Sequence, residues 1–241
     1  MGVFRFKQFD VVNERSAMKV NTDGVLLGAA MTIMPEDRRF LDIGTGTGTI
    51  ALMAAQRVRE IPCQAGDDNV ISEPAVRIDA IDVDEASAEE AGMNFRNSPW
   101  AGGLYAHNLP LDQFAAQTDG KYDLIFSNPP YFEDSLTAPD ERKSTARHTT
   151  DGLSYRDILD FAKERLTEQE AALCRYARMC GLHLFNILRV RTVTRKQPTR
   201  IIAEFSRARC ESPKDAILTI QNEGQYTQEY LSLTHEFYLF A

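Results

Sequence analysis

The 241-residue chain has little cysteine and little histidine, four of each. Cys63, Cys174, Cys180 and Cys210 form no CxxC pair and no metal-ligand rhythm. That spacing argues against a thiolate zinc site and against a disulfide framework, and fits free thiols in a reducing cytosol. The histidines are equally scattered, so no metal is expected. Long apolar runs are missing too: none approaches the roughly 20 residues that cross a bilayer. The opening Met1-Gly2-Val3-Phe4-Arg5-Phe6-Lys7 has no apolar signal core. Together these absences predict a cytoplasmic chain without membrane association, and a monomer is the working expectation. A net charge of −8 gives no general attraction to phosphate. One stretch reverses that balance. From His183 to Ala203 there is no acid, while Arg189, Arg191, Arg195, Lys196 and Arg200 all fall within it.

What is present reads as alternating strands and helices. Phe4 to Phe9 begins with alternating apolar residues and predicts a short strand. Asn21-Thr22-Asp23-Gly24 is a turn and helix cap leading into an apolar helix from Val25 to Met34, ended by Pro35. A buried strand follows at Arg39 to Ile43, a loop at Gly44 to Gly48, and a helix at Thr49 to Val58. Residues 59–75 read as a polar loop insertion. Further strands are predicted at 76–83, 104–107, 122–127, 183–190, 200–205 and 216–220. Further helices are predicted at 84–97, 154–166, 171–180 and 226–240. This order implies an α/β fold, a mostly parallel twisted sheet with helices on both faces. One domain spans 1–241, with a short N-terminal extension over about residues 1–36.

Asp42-Ile43-Gly44-Thr45-Gly46-Thr47-Gly48 joins a strand to a helix. A ligand meets the carboxyl ends of parallel strands at such a junction. The spacing is GxGxG, not the GxGxxG of dinucleotide sites. An aspartate before the loop also suits a ligand with a positive end better than one carrying two phosphates. S-adenosylmethionine, with a sulfonium and an ammonium, is such a ligand. A second acid is then needed at the end of the next strand for ribose hydroxyls, and Asp82 is placed for it. Asp82 lies 40 residues after Asp42, beyond the usual ~20, and the insertion at 59–75 accounts for the excess. A plain turn with incidental glycines and a nicotinamide site are the competing readings.

Ser127-Asn128-Pro129-Pro130-Tyr131 follows the strand ending near Ser127, at the same sheet edge as the glycine loop. An exocyclic amine on adenine is a weak nucleophile because its lone pair is delocalised into the ring. Two acceptors aimed at its N–H bonds would draw the nitrogen towards tetrahedral geometry and free that pair. The Asn128 side-chain carbonyl and the Pro129 backbone carbonyl can be those acceptors. Pro129 and Pro130 restrict the residues before them to extended conformations and remove competing N–H donors. Tyr131 offers a flat face, and stacking of a base on an aromatic ring is worth roughly 1–3 kcal/mol. A proline turn that merely ends a strand is the competing reading.

These residues resemble the Rossmann-like class I methyltransferases with a (D/N/S)PPY motif, which modify adenine N6, cytosine N4 or glutamine amides. A closer likeness runs through Phe6-Lys7-Gln8-Phe9, Met18 to Gly28, Asn97-Ser98-Pro99-Trp100, Arg147-His148, Leu153-Ser154-Tyr155 and Lys196-Gln197-Pro198-Thr199-Arg200. On these the chain is similar to the bacterial tRNA1(Val) (adenine(37)-N6)-methyltransferase family, over nearly its full length. The resemblance implies the adenosine 3′ of the anticodon of a valine tRNA as substrate. It places Asn21, Thr22 and Asp23 over the methionine end of S-adenosylmethionine, with Asp42, Gly44, Thr45, Gly46, Gly48, Asp82 and Asn128 in the cofactor site. Arg142, Lys143, Arg147 and His148 would meet phosphates near the target base, and Arg189, Arg191, Arg195, Lys196 and Arg200 would extend that track. Two departures stand out. The acid that often reads the cofactor adenine aligns with Pro110, so Asp112 or backbone atoms must serve. A fifth apolar strand is expected between Leu166 and Ala171, where only Thr167-Glu168-Gln169-Glu170 lies. The main rival is glutamine methylation of a protein such as a release factor. Such enzymes usually carry a substantial helical domain before the glycine loop, whereas 41 residues precede Asp42 here.

Overall fold

Strand β3 (Arg39–Ile43) is buried continuously from Phe40 onward, as a parallel strand covered on both faces must be. It pairs in parallel with β4 (Arg77–Asp82) on one side and β6 (Leu124–Ser127) on the other, and β4 pairs in parallel with β5 (Leu104–Asn108). The sheet order is β5-β4-β3-β6. The computed structural model describes residues 2–60, 76–129, 177 and 180–240.

Alternation along the strands divides the core between the two faces. Phe40, Ile78 and Ala80 point to one side, against Leu52 and Met53 of α2 (Thr49–Glu60), Ala91 and Phe95 of α3 (Glu85–Arg96), and Leu26 of α1 (Thr22–Ala30). Leu41, Ile43 and Ile81 point to the other, against Leu111 and Phe114 of α4 (Leu111–Gln117). That short helix was not anticipated from the sequence. The helices therefore flank both faces, as the strand–helix alternation implied.

A second four-stranded sheet has the order β10-β9-β7-β8. It is built from β7 (His183–Val193), β8 (Arg200–Ser206), β9 (Lys214–Asn222) and β10 (Gln225–Tyr226). β7 runs antiparallel to β8 and parallel to β9. Val190, Leu218 and Ile220 join the same apolar cluster as α1 and α2. Among the described residues the edge strands are β5 and β6 in the first sheet and β10 and β8 in the second. The position of the expected fifth strand, 167–170, lies outside the described residues, as do the loop at 61–75, the helix expected at 154–166 and most of the one at 171–180.

Several predicted boundaries shift. The strand expected over Phe4 to Phe9 is a hairpin of β1 (Val3–Arg5) and β2 (Asp10–Val12), closed by a Phe6 N–H to Phe9 C=O bond of 2.9 Å. Phe6 and Phe9 stack at 4.6 Å, and Phe9 meets Trp100 edge-on at 5.6 Å, so aromatic burial turns the chain back. The first helix starts at Thr22 rather than Val25 because Asn21 Oδ1 accepts from Gly24 N–H at 2.9 Å. The closing helix is α5 (Gln228–Thr234), shorter than 226–240, because Tyr226 pairs with Gln221 in the sheet. No helix of the described residues is long and apolar enough to cross a membrane.

Candidate active site

The carboxyl ends of β3, β4 and β6 converge on the glycine loop. Gly44 and Thr45 N–H both donate to the Ile81 carbonyl, at 2.9 and 3.0 Å, so the loop is tied to β4 as it leaves β3. Gly44, Gly46 and Gly48 take φ values of 72°, 56° and 79°, a region that side chains with a Cβ rarely adopt. At Gly48 space forbids a Cβ as well, since it would lie 2.5 Å from Phe95 Cε1 on α3. The alternate glycines are thus a requirement of this turn.

Asp42 is 0% exposed. Its Oδ2 accepts from Thr45 Oγ1 at 2.7 Å, and its Oδ1 is buried without a hydrogen-bond partner. Burial pushes its carboxyl up to about 7, against the opposing Thr45 hydrogen bond. A buried acid with an unsatisfied oxygen is costly unless a donor or cation completes it. Asp82 stands beside it: Oδ2 accepts from Gly46 N–H at 2.8 Å and Oδ1 from Asp84 N–H at 2.9 Å. Burial raises the Asp82 carboxyl also. Two adjacent acids, both held off their ordinary ionisation, suit a ligand with cationic and hydroxyl groups. S-adenosylmethionine offers both.

Register brings the second motif to the same edge. Ser127 pairs with Ile43, and Ser127 Oγ donates to the Ile43 carbonyl at 2.7 Å. Asn128 therefore follows β6 where Gly44 follows β3. Asn128 and Pro129 are half-buried; Pro130 and Tyr131 lie outside the described residues, as do Arg142, Lys143, Arg147 and His148.

Asn21 caps α1, Thr22 is its first residue, and Asp23 in its first turn pairs with Arg200 Nε at 2.7 Å. Asp112 is exposed on α4. Asn108, at the end of β5 and two residues before Pro110, donates to the carbonyls of Asp82 and Val83 at 3.0 and 3.1 Å. Of the basic track, Arg189 is bidentate to Asp215 at 2.8 and 3.0 Å, and Arg191 Nε donates to Thr219 Oγ1 at 2.8 Å. Arg195 and Lys196 are exposed at the β7–β8 turn.

Sequence reasoning missed the residues that seat the N-terminal segment over the loop. Glu90 of α3 is 1% exposed. Its carboxylate accepts the backbone N–H groups of Glu14, Arg15 and Ser16 at 2.9, 2.7 and 3.1 Å. One helical turn on, Asn94 accepts from Val12 N–H at 2.8 Å and donates to the carbonyls of Val12 and Thr47 at 3.0 and 2.8 Å. The segment from Val12 to Met18 is so pinned that Ser16 Oγ and the Met18 carbonyl border Gly46. A readable signal existed: Glu90 and Asn94, four apart, interrupt the apolar stripe of an amphipathic helix.

Comparison with known proteins identifies the family. The methyltransferase small domain family matches residues 16–154. A Flavobacterium psychrophilum protein named tRNA1(Val) (adenine(37)-N6)-methyltransferase is 35% identical over 98% of this chain and 99% of its own. A Yersinia pestis protein of the same name is 37% identical over 99% of this chain and 94% of its own. Among solved structures, one described as a predicted O-methyltransferase from Agrobacterium tumefaciens superposes with a TM-score of 0.58 at 13% identity, covering 88% of this chain and 95% of that one. That likeness concerns the fold. With the glycine loop, the two acids and the Asn-Pro turn at one sheet edge, and with 35% and 37% identity to these relatives over nearly the full length, the chain belongs to the tRNA1(Val) (adenine(37)-N6)-methyltransferase family of class I methyltransferases.

Proposed function

We propose that this protein transfers a methyl group to N6 of an adenosine in tRNA, A37 beside the anticodon of tRNA1(Val), in the cytoplasm. The observation that carries the reading is the β3–β6 register, which sets Asn128 beside the glycine loop whose floor is Asp42. When bound, S-adenosylmethionine supplies an electrophilic methyl on a sulfonium. Asp42 and Asp82 would hold its cationic and hydroxyl groups, with Gly44, Thr45, Gly46 and Gly48 beneath and Asn21, Thr22 and Asp23 at its methionine end. Asn108 or the exposed Asp112 would face its adenine.

The Asn128 side-chain carbonyl and the Pro129 carbonyl would accept the two N–H bonds of the target amine, with Pro130 and Tyr131 completing the cradle. No strong base is required, because the nitrogen becomes acidic once methylated and can lose its proton to water. Rate comes mainly from alignment. A base in an anticodon loop is already unpaired, which lowers the cost of turning it into the site. Exposed Arg195 and Lys196 would begin the phosphate track, with Arg142, Lys143, Arg147 and His148 nearer the target.

The test is tritiated methyl transfer to total tRNA from a strain lacking this protein, followed by nucleoside analysis. N6-methyladenosine is expected in a valine tRNA. Asn128→Ala should reduce the rate by roughly 10²-fold or more, the scale of losing one pre-set polar contact to the reacting group. Methyl recovered on a release-factor glutamine, with none in RNA, overturns the reading.

A further inference from the structure

Helix α1 is tied to strand β8 at both ends. At its C-terminal end the Glu204 carboxylate accepts from Thr32 N–H at 2.5 Å and from Thr32 Oγ1 at 3.0 Å. Asn186 Nδ2 of β7 donates to the same carboxylate at 2.5 Å. At the N-terminal end Arg200 Nε lies 2.7 Å from Asp23 Oδ1, with side-chain exposures of 35% and 21%.

The two ties differ in what they can control. Helix ends fray first, and α1 begins with the three residues assigned to the cofactor's methionine end. Asn21 caps the helix through its own side chain, accepting from Gly24 N–H and donating to the Lys19 carbonyl at 3.0 Å. That cap fixes the start of the helix but does not orient its first turn towards the rest of the molecule. Burial of Gly24, Val25 and Leu26 docks that turn on the core, and Arg200 adds a tie from the second sheet to Asp23, which precedes them. A guanidinium neutralised by a carboxylate also offers less field to an RNA phosphate than exposed Arg195 or Lys196.

We propose that Arg200 is a positioning residue of the cofactor pocket, holding Asn21–Asp23 in place before S-adenosylmethionine binds, and is not a phosphate contact. Pre-setting a binding segment raises affinity by removing the ordering cost from the binding step. The Glu204–Thr32 tie keeps α1 docked when Arg200 is changed, so the effect is local. The inference rests on the proposed placement of the cofactor over α1.

The test compares Arg200→Ala, Arg200→Lys, Asp23→Asn and the Arg200→Ala/Asp23→Asn double variant with the parent. S-adenosylmethionine affinity is measured by calorimetry without RNA, and valine tRNA transcript binding across a salt series. Arg200→Ala should weaken the cofactor about fivefold, the upper range for a partly exposed pair. It should raise the cofactor KM with kcat little changed, and leave tRNA affinity and its salt slope as in the parent. Arg200→Lys should recover part of the loss, and the double variant should be no weaker than the worse single one. The proposal is overturned if cofactor affinity is unchanged, whether or not tRNA binding weakens, or if the two substitutions add. Calorimetry needs no methyl acceptor, so a parent protein that binds cofactor but modifies no tRNA would sink the proposed function and leave this test intact.

Discussion

Asp42 shows how one residue can carry a pH dependence. Its carboxyl ordinarily titrates at 3.8 and is raised to about 7 in the folded chain, chiefly by burial. The folded state thus binds this proton more tightly than the unfolded one. Ionising Asp42 therefore costs stability, and that contribution falls as pH rises from about 4 to about 7. A cation bound beside Asp42 prefers the carboxylate and reverses the balance. S-adenosylmethionine affinity is accordingly expected to decline below about pH 7, approaching tenfold per unit. Asp42→Asn should bind more weakly at neutral pH and lose that dependence. Calorimetry in buffers of different ionisation enthalpy would check it, since the parent should release a proton on binding near neutrality. A pH-independent affinity in the parent would mean that Asp42 does not face the cationic end.

Strand β4 carries a second buried acid that the proposed chemistry does not use. Asp79 is bidentate to Arg77 at 2.8 and 2.7 Å, lies 2.9 Å from His107 Nε2, and accepts from Tyr122 OH at 3.3 Å. Burial alone would raise its carboxyl, but the His107 and Arg77 contacts outweigh it and bring it to about 2. Arg77 in turn covers the Tyr105 ring at 4.2 Å, so the network laces β4 to the edge strand β5. A lowered carboxyl contributes stability above its unfolded value of 3.8, and that contribution disappears as pH falls towards 2. Asp79→Asn is expected to cost about 2 kcal/mol at neutral pH, read from denaturant unfolding, with the difference from the parent shrinking in acid. A similar gap at both pH values would assign the loss to packing instead of charge.

Charge is segregated across the whole molecule. The net charge is −8, yet the β7–β8 hairpin has no acid before Glu204 and ends in exposed Arg195 and Lys196. Arg189 and Arg200 are already paired with Asp215 and Asp23, so the turn carries the exposed cations of the described track for which no carboxylate partner is seen. An Arg195→Ala/Lys196→Ala variant should weaken tRNA binding without regard to sequence. It should also reduce the slope of log affinity against log salt by roughly one to two. Filter binding over a salt series measures this, and an unchanged slope would move the RNA path elsewhere on the surface.

Local chemistry was enough to mark out much of the candidate site. Glycines at alternate positions, an acid before them and a second acid after the next strand are legible because a backbone at positive φ and a ligand's charges each demand particular residue types at fixed spacing. The Asn-Pro turn is legible for the same reason, as is the strand–helix alternation that sets the parallel sheet. Pairing at a distance was not legible. Nothing in Phe4 to Phe9 announces the reversal that stacks Phe6 on Phe9, and nothing near Arg200 points to Asp23. Glu90 stands out in the sequence as an acid on the apolar stripe of a helix, but its partners are not legible until α3 packs beneath the N-terminal segment and three amides converge on its carboxylate. A side chain's role in such contacts depends on which elements meet, and that is set by the burial of apolar faces across the whole chain, a sum that no local window contains.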